Sequence, residues 1–404
     1  MSYSIIGTGS MGGNLALNIS KKEQVNLFNR SYTKVNELIA NNPNLNLVGH
    51  KSIEVLIENT QTPRTIITML PHGKPTTDMI SKLSKIMTKD DTILDLANDY
   101  YKDSEKRFYE CYFRRIKYLD CGISGGYKGA LNGPALMIGG PQKYYEEQKT
   151  FFDSFCGNHQ HMGNKAGDGH FTKMVHNGIE YAMLQGIADI YTYCNKDVKI
   201  MSQVIENLSN YPIYGYLIKS ANNICENYDL DNIDDVCNMN NTGLWCTTIA
   251  LERSIPLSII TNSVLNRIDS KIKNNTHFNE SYCKVSLNSA CNALQFIYCQ
   301  ALIEGYSLLK SEDISISKAQ KSWNKSTIIE CQLIDENIDY LQDLMDTCYF
   351  SAKKVLLECI SNDANTTVLS TAIQKYNLSQ DVKKNTNFIM AQRNDFGGHD
   401  VKYV

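Results

Sequence analysis

Short apolar runs closed off by Gly, Pro, Asn or Asp recur through the first third of the chain: Tyr3 to Ile6, Val25 to Asn29, Thr65 to Leu70, Thr92 to Leu96, Tyr118 to Cys121 and Leu136 to Ile138. Runs of this kind predict strands, and the helical spacing between the early ones predicts that strands and helices alternate. That rhythm implies a mostly parallel, doubly wound sheet. From about residue 167 the strand rhythm stops and helical patterns continue almost to the end, which predicts a second, all-helical domain.

Within that second part, HFTKMVHNGIEYAMLQG (residues 170–186) is apolar helical sequence interrupted by Lys173, His176, Asn177 and Glu180. Residues three, four and seven apart share a helix face, so these four form one polar stripe. Phe171, Met174, Val175, Ile179, Leu184 and Ile187 flank it as expected core positions. A polar stripe is most often a solvated face. Plain charges suffice for solvation, however, whereas His-Asn between Lys and Glu supplies proton donors and acceptors, which points the stripe into a cleft. His176–Tyr193 and Ala293–Leu309 look loosely alike, each with an Ile/Leu-rich face and a late Gly, as in a duplicated helical unit. Asn385 to Val404 shows little periodicity and is expected to fray.

The N-terminal IIGTGSMGGN places Gly7, Gly9 and Gly12 in the G-x-G-x-x-G pattern after a strand and at the start of a helical run. Gly7 permits the tight turn, Gly9 lets a pyrophosphate approach the backbone and Gly12 lets helix and sheet pack closely, with Ser10 and Met11 in the same turn. The second strand then reports which dinucleotide binds. An acidic residue at its end would hold the ribose 2′-hydroxyl of NAD, but here the residues are Asn29, Arg30 and Ser31. Arg30 can pair with a 2′-phosphate and Ser31 can donate to it, so NADP is the expected cofactor.

A chain of 404 residues with 42% hydrophobic content has ample core for two or three domains, and its net charge of -3 gives no footprint for nucleic acid or a membrane surface. No apolar run approaches the ~20 residues of a membrane span. Thirteen cysteines are scattered without the paired spacing of a zinc site, so no metal is expected, and the N-terminus carries no signal-peptide pattern. Reduced thiols in a cytoplasmic protein are the expectation.

Taken together, GTGSMGGN, FNRS, GISGGYKGALNGPALMIGG (122–140), GHFTKMVHNGIEY (169–181) and AQRNDFGGHD (391–400) resemble the 6-phosphogluconate dehydrogenase family, in that family's order and across nearly the whole chain. The resemblance implies an α/β Rossmann-type NADP-binding domain over residues 1–166 and a large all-α substrate and dimerisation domain over 167–384. A short tail, 385–404, would reach into the partner subunit of a homodimer. It also implies oxidative decarboxylation of 6-phosphogluconate to ribulose 5-phosphate with reduction of NADP, a step of the pentose phosphate pathway and of gluconate use. By the same resemblance Lys173 matches the family's base and Glu180 its acid. His176 and Asn177 match residues that hold substrate hydroxyls, Asn98 a substrate asparagine bordering the cofactor, and Ser124, Gly125 and Gly126 the turn that grips the carboxylate. Tyr181, Thr242, Arg267 and the partner's Arg393 match phosphate contacts, and His399 matches the tail's second contribution.

The chain departs from the family at several positions. Asn240 stands where the family has a phosphate-binding lysine, Leu96-Ala97 replace glycines, Tyr127 replaces a glutamate, an arginine is replaced near Glu330, and the chain stops a few residues past His399. These changes bear on substrate affinity more than on chemistry. Two other functions would use the same residues: a related β-hydroxyacid dehydrogenase acting on a smaller acid, and a dinucleotide-binding pseudoenzyme.

Overall fold

The structure, a computed structural model, describes residues 2–272, 282–380 and 386–402. Its sheet consists of β1 (Ser2–Ile6), β2 (Gln24–Phe28), β3 (Leu47–Gly49), β4 (Thr65–Thr68), β5 (Thr92–Asp95), β6 (Lys117–Ser124), β7 (Ala135–Gly139) and β8 (Asn158–Gly163), in the order β3-β2-β1-β4-β5-β6-β7-β8. Every neighbouring pair is parallel except β6 and β7. The two strands that the apolar pattern does not announce, β3 and β8, are the edges of the sheet. β3 is very short and β8 is polar in sequence, because an edge strand buries less and so carries a weaker apolar signal.

Helices α1 (Ser10–Ser20), α2 (Tyr32–Ala40), α3 (Ile53–Glu58), α4 (Lys74–Ile86), α5 (Tyr101–Phe113), α6 (Gly126–Asn132) and α7 (Gln142–Phe155) connect the strands. One apolar cluster joins α1, α2 and α7 to one face of the sheet through Leu15, Val35 and Phe152. A second joins α3, α4 and α5 to the other face through Leu56, Leu83 and Cys111. The chain runs outward from β1 to β3 and then returns to β4 on the far side of β1, which opens a crevice at the carboxyl ends of β1 and β4.

The remainder is helical: α8 (Asp168–Tyr193), α9 (Val198–Leu208), α10 (Tyr216–Asn227), α11 (Thr242–Glu252), α12 (Ser258–Asp269), α13 (Leu287–Lys310), α14 (Ile316–Trp323), α15 (Ile338–Ser361), α16 (Thr367–Gln380) and α17 (Thr386–Gly397). The two segments that look alike in sequence lie in α8 and α13 and pack as antiparallel partners. A Cβ on Gly186 would lie 2.8 Å from Ile297, and one on Gly305 would lie 2.4 Å from Ile179. Each helix also carries a buried acid four residues after a glutamine. Asp189, beside Gln185, accepts from Leu369 N at the start of α16, and Glu304, beside Gln300, accepts from Ile259 N and Ile260 N at the start of α12.

Two expectations are corrected here. Leu184 is 36% exposed and so is not a core position, because it shares a helix face with Glu180, Ala188 and Tyr191, none of which is buried. The tail does not simply fray: residues 386–397 form α17, held by its own backbone bonds, while burying none of its side chains. The expected domain limit at 384 falls outside the described residues.

Helix α8 approaches the sheet backbone to backbone. A Cβ on Gly169 would lie within 2.5 to 2.7 Å of Met137 O, Asp120 O and Gly139 N, all backbone atoms that cannot move aside. At Gly305 the obstacle is the end of a flexible side chain. Gly305→Ala should therefore cost about 1–3 kcal/mol as ordinary overpacking, and Gly169→Ala distinctly more, measured by urea unfolding. Equal stability of the two variants would show that the backbone contact at Gly169 does not set the position of α8.

Candidate active site

The N-terminus of α8 is anchored by the sheet. Asp120, on β6 and fully buried, accepts from Gly167 N and His170 N at 2.7 Å each, placing a carboxylate on the orphan amides of the helix start. One turn further, Lys173 is pressed against β6 where only a glycine fits, since a Cβ on Gly122 would lie 2.4 Å from the Lys173 Cβ. The polar stripe therefore faces the sheet and the crevice. Lys173, His176 and Asn177 are buried, and Glu180 is partly exposed.

The stripe forms one hydrogen-bonded chain with residues from two other elements. Lys173 Nζ lies 3.2 Å from His176 Nδ1, which also lies 3.2 Å from Asn177 Oδ1. His176 Nε2 meets Ser124 Oγ at 3.0 Å, and Asn177 Nδ2 donates to Asn98 Oδ1 at 3.3 Å. Glu180 approaches His176 Nδ1 to 3.8 Å. Ser124 closes β6 and Asn98 follows β5, so the end of the sheet and one helix face build a single cluster. Gly125 and Gly126 turn away from β6 with φ of 107° and 62°, a left-handed geometry that favours glycine and leads the backbone around the same cluster.

Burial sets the proton affinities. The Lys173 ammonium is destabilised by its dry setting, opposed by the Glu180 carboxylate, and its pKa falls to about 8. Burial raises Glu180 above the usual carboxylate range, with Lys173 and Arg267 pulling it back. Burial, followed by the charge of Lys173, drives His176 well below its ordinary value, so it is neutral, with one ring nitrogen donating and one accepting. Trp323, fully buried, closes the back of the site with its ring edge-on to His176 at 6.0 Å. No local pattern marks that tryptophan, because it arrives from α14.

Beyond Glu180 lies a second polar group. The Arg267 guanidinium sits 3.4 Å above the centre of the Tyr181 ring. Tyr181 Oη donates to Asn240 O at 3.1 Å and to Asn240 Oδ1 at 3.0 Å, and Thr242 Oγ1 donates to the same Oδ1. Asn240 thus accepts from both neighbours through its side-chain carbonyl. Glu330 is used locally, accepting from Ser326 N at 2.8 Å in the loop that covers Gly125. Tyr127 is 57% exposed.

The crevice fits a dinucleotide. Gly7 has φ of 104° and no atom lies within 4 Å of a Cβ placed on Gly9, so the backbone there is open to a ligand. Gly12 packs α1 against Gly7, and the start of α1 at Ser10 and Met11 carries neither an acidic residue nor a side-chain cap on its amides. The buried Thr8 Oγ1 has no hydrogen-bond partner. Asn29 Oδ1 accepts from Thr8 N at 3.2 Å, tying the end of β2 to the glycine turn, and Arg30 and Ser31 stand exposed beside it.

The remaining expected residues are not gathered. Arg393 lies on α17 and His399 just after it; both are exposed, and among the described residues neither side chain bonds to the α8 cluster. Conversely, the sequence gives no sign of His72, which meets Asn241 Nδ2 at 3.3 Å and the Trp245 ring edge-on at 5.4 Å, bridging the sheet and α11.

Comparison with known proteins agrees with this geometry. The model for the NAD binding domain of 6-phosphogluconate dehydrogenase matches residues 2–163, and that for the 6-phosphogluconate dehydrogenase C-terminal domain matches residues 169–404. The chain is 30% identical to the decarboxylating 6-phosphogluconate dehydrogenase of Staphylococcus epidermidis, over 98% of this chain and 95% of that one. It is 29% identical to the NAD(+)-dependent, decarboxylating 6-phosphogluconate dehydrogenase of Bacillus subtilis, over 98% and 96%. Among solved structures, Plasmodium falciparum 6-phosphogluconate dehydrogenase, described in its apo form and in complexes with NADP+ and with 6-phosphogluconate, superposes with a TM-score of 0.88 at 26% identity, covering 100% of this chain and 98% of that one. With both family models matched along its length, one over residues 2–163 and the other over 169–404, the chain belongs to the 6-phosphogluconate dehydrogenase family.

Proposed function

We propose that the protein oxidatively decarboxylates 6-phospho-D-gluconate to D-ribulose 5-phosphate and carbon dioxide with NADP as acceptor. The observation that carries this reading is Lys173, buried beside neutral His176 with a pKa near 8, at the mouth of a dinucleotide crevice. Gly7, Gly9, Gly12, Arg30 and Ser31 would hold NADP, which would supply the acceptor for a hydride from the third carbon of the substrate. Lys173, as the free amine, takes the proton of the hydroxyl on that carbon, and the ammonium so formed donates to the new ketone oxygen. With electrons drawn toward that oxygen, the β-keto acid loses carbon dioxide. Glu180, whose proton affinity burial raises, then protonates the first carbon of the enediol. Ser124, Gly125 and Gly126 hold the carboxylate, Asn98, His176 and Asn177 the hydroxyls, and Tyr181, Thr242 and Arg267 the phosphate.

The reading extends to assembly and setting. The helical part acts as substrate and dimerisation domain, and α17 crosses to the partner subunit, where Arg393 and His399 complete the site. Support comes from α17 itself, which exposes Phe388, Ile389 and Phe396 and buries nothing within its own chain. The thirteen free cysteines suit a reducing compartment, the cytoplasm, and the reaction belongs to the pentose phosphate pathway and gluconate use. No helix among the described residues is long and apolar enough to cross a membrane.

Lys173 must be deprotonated to act, so kcat/KM for 6-phosphogluconate should climb as pH rises through about 8. Lys173→Ala should bind NADP normally and lose ~100-fold or more in turnover. Glu180→Gln should chiefly slow enediol protonation. A Lys173→Ala enzyme working above a tenth of the wild-type rate would remove the lysine from its role. Arg30→Asp replaces a charge-assisted phosphate contact of roughly 1.5–3 kcal/mol by repulsion, and should weaken NADP far more than NAD in binding titrations; equal losses would sink the NADP assignment.

Asn240 offers the phosphate a neutral amide where a lysine would offer a charge, a difference on the order of 1 kcal/mol. Asn240→Lys should therefore lower KM for 6-phosphogluconate several-fold to about tenfold with little change in kcat, because the contact is equal in ground and transition states. The measurement is steady-state kinetics with gluconate and short hydroxyacids as controls. No gain from the lysine, together with turnover of short hydroxyacids, would favour a β-hydroxyacid dehydrogenase lacking a phosphate requirement.

A further inference from the structure

Arg107, in the middle of α5, has a side chain only 1% exposed, and its guanidinium ties together the ends of two neighbouring loops. Nη1 donates to Asp95 Oδ2 at 3.1 Å at the end of β5. Nη2 donates to Asp99 Oδ2 at 2.7 Å in the β5–α5 loop, to Gly73 O at 3.2 Å in the β4–α4 loop and to Thr77 Oγ1 at 2.9 Å on α4. Asp99 returns the link, accepting from Gly73 N at 2.9 Å and from Tyr100 N at 2.7 Å. Asp95 also accepts from Tyr118 Oη at 2.7 Å and from Thr68 Oγ1 at 3.2 Å at the end of β4. The two loops at the carboxyl ends of β4 and β5 are thereby fastened into one rim.

Residues beside those anchors reach the helical part. Asn98, next to Asp99, receives Asn177 of α8. His72, next to Gly73, meets Asn241 and Trp245, and Tyr100 lies 5.4 Å from the same Trp245 ring on α11. A buried ion pair is a poor way to gain stability, because desolvation offsets the attraction, but a guanidinium fork fixes direction. We propose that Arg107, acting through Asp99 and Gly73, is a positioning residue that sets the rim carrying Asn98 and His72 against the helices that carry Lys173 and Thr242. It touches neither substrate nor cofactor. The proposal rests on the reading of Asn98 as a substrate contact.

The test compares Arg107→Lys and Asp99→Asn with Asn98→Ala in the full-length enzyme. Lysine keeps the charge and loses the fork; asparagine keeps an acceptor for the loop amides and loses the charge facing Arg107. Both should fold and bind NADP within a few-fold of wild type, yet lose about tenfold or more in kcat on 6-phosphogluconate, since misplacement of a positioning group is read in turnover. Asp99→Asn placed on Asn98→Ala should add little further loss, because both act through one side chain. Unchanged kinetics with a lowered Tm, or additive losses in the double variant, would overturn the positioning role. Asn98→Ala with wild-type kinetics would instead overturn the reading of Asn98 and, with it, this proposal.

Discussion

The carboxylate of Asp120 meeting the first amides of α8 is the contact on which the site depends. It joins the sheet to the longest helix among the described residues, at a point where Gly122 and Gly169 let the two approach closely. With the helix start fixed and the gap closed, the next turn has nowhere to go but onto β6. Lys173 is delivered into a dry crevice rather than into water. Burial raises the pKa of Asp120 itself, while the amides of Gly167 and His170 and the nearby His170 ring favour its charged form. Its neighbour Asp168 is pushed up to about 6, first by burial and then by the charge of Asp120.

From that placement the acid–base chemistry follows with little further invention. A lysine in water is an ammonium at neutral pH and takes no proton, and a glutamate is a carboxylate and gives none. Partial removal of water shifts both toward the forms that the proposed base and acid need, and their mutual attraction limits the shift. His176 is held between Lys173, Asn177 and Ser124 on two ring nitrogens, and it stays neutral because it shares the same dry pocket with a cation. One physical condition, exclusion of water by the sheet, Trp323 and the helix face, therefore tunes three residues at once.

The far end of the site is governed by a different economy. Around Tyr181, Thr242 and Asn240 the polar groups already satisfy one another, with Arg267 stacked over Tyr181, so the phosphate site proposed here is a prearranged neutral cradle with one cation. Such a site keeps shape while giving up charge. In the proposed reading affinity can thus change at Asn240 without altering Lys173 itself.

Much of this was legible in the sequence because its signals are local. Alternation of apolar runs, the spacing of Gly7, Gly9 and Gly12, Arg30 at the end of a strand and the stripe from Lys173 to Glu180 depend on residues a few positions apart, where backbone geometry converts spacing directly into direction. Sequence could say that the stripe shared a face, but not whether that face was wet, because the answer lies in Gly122, about fifty residues upstream. Nor could it find Trp323 behind His176, His72 against Trp245 or Arg107 between two loops, each a contact across more than one element. It placed Leu184 in the core because helical spacing defines faces without naming their neighbours, and it read the tail as formless because α17 buries nothing that periodicity could reveal. The sequence by itself determined the elements and the chemical groups they carry; only the tertiary structure decided which of those groups lose water, and proton affinity follows water.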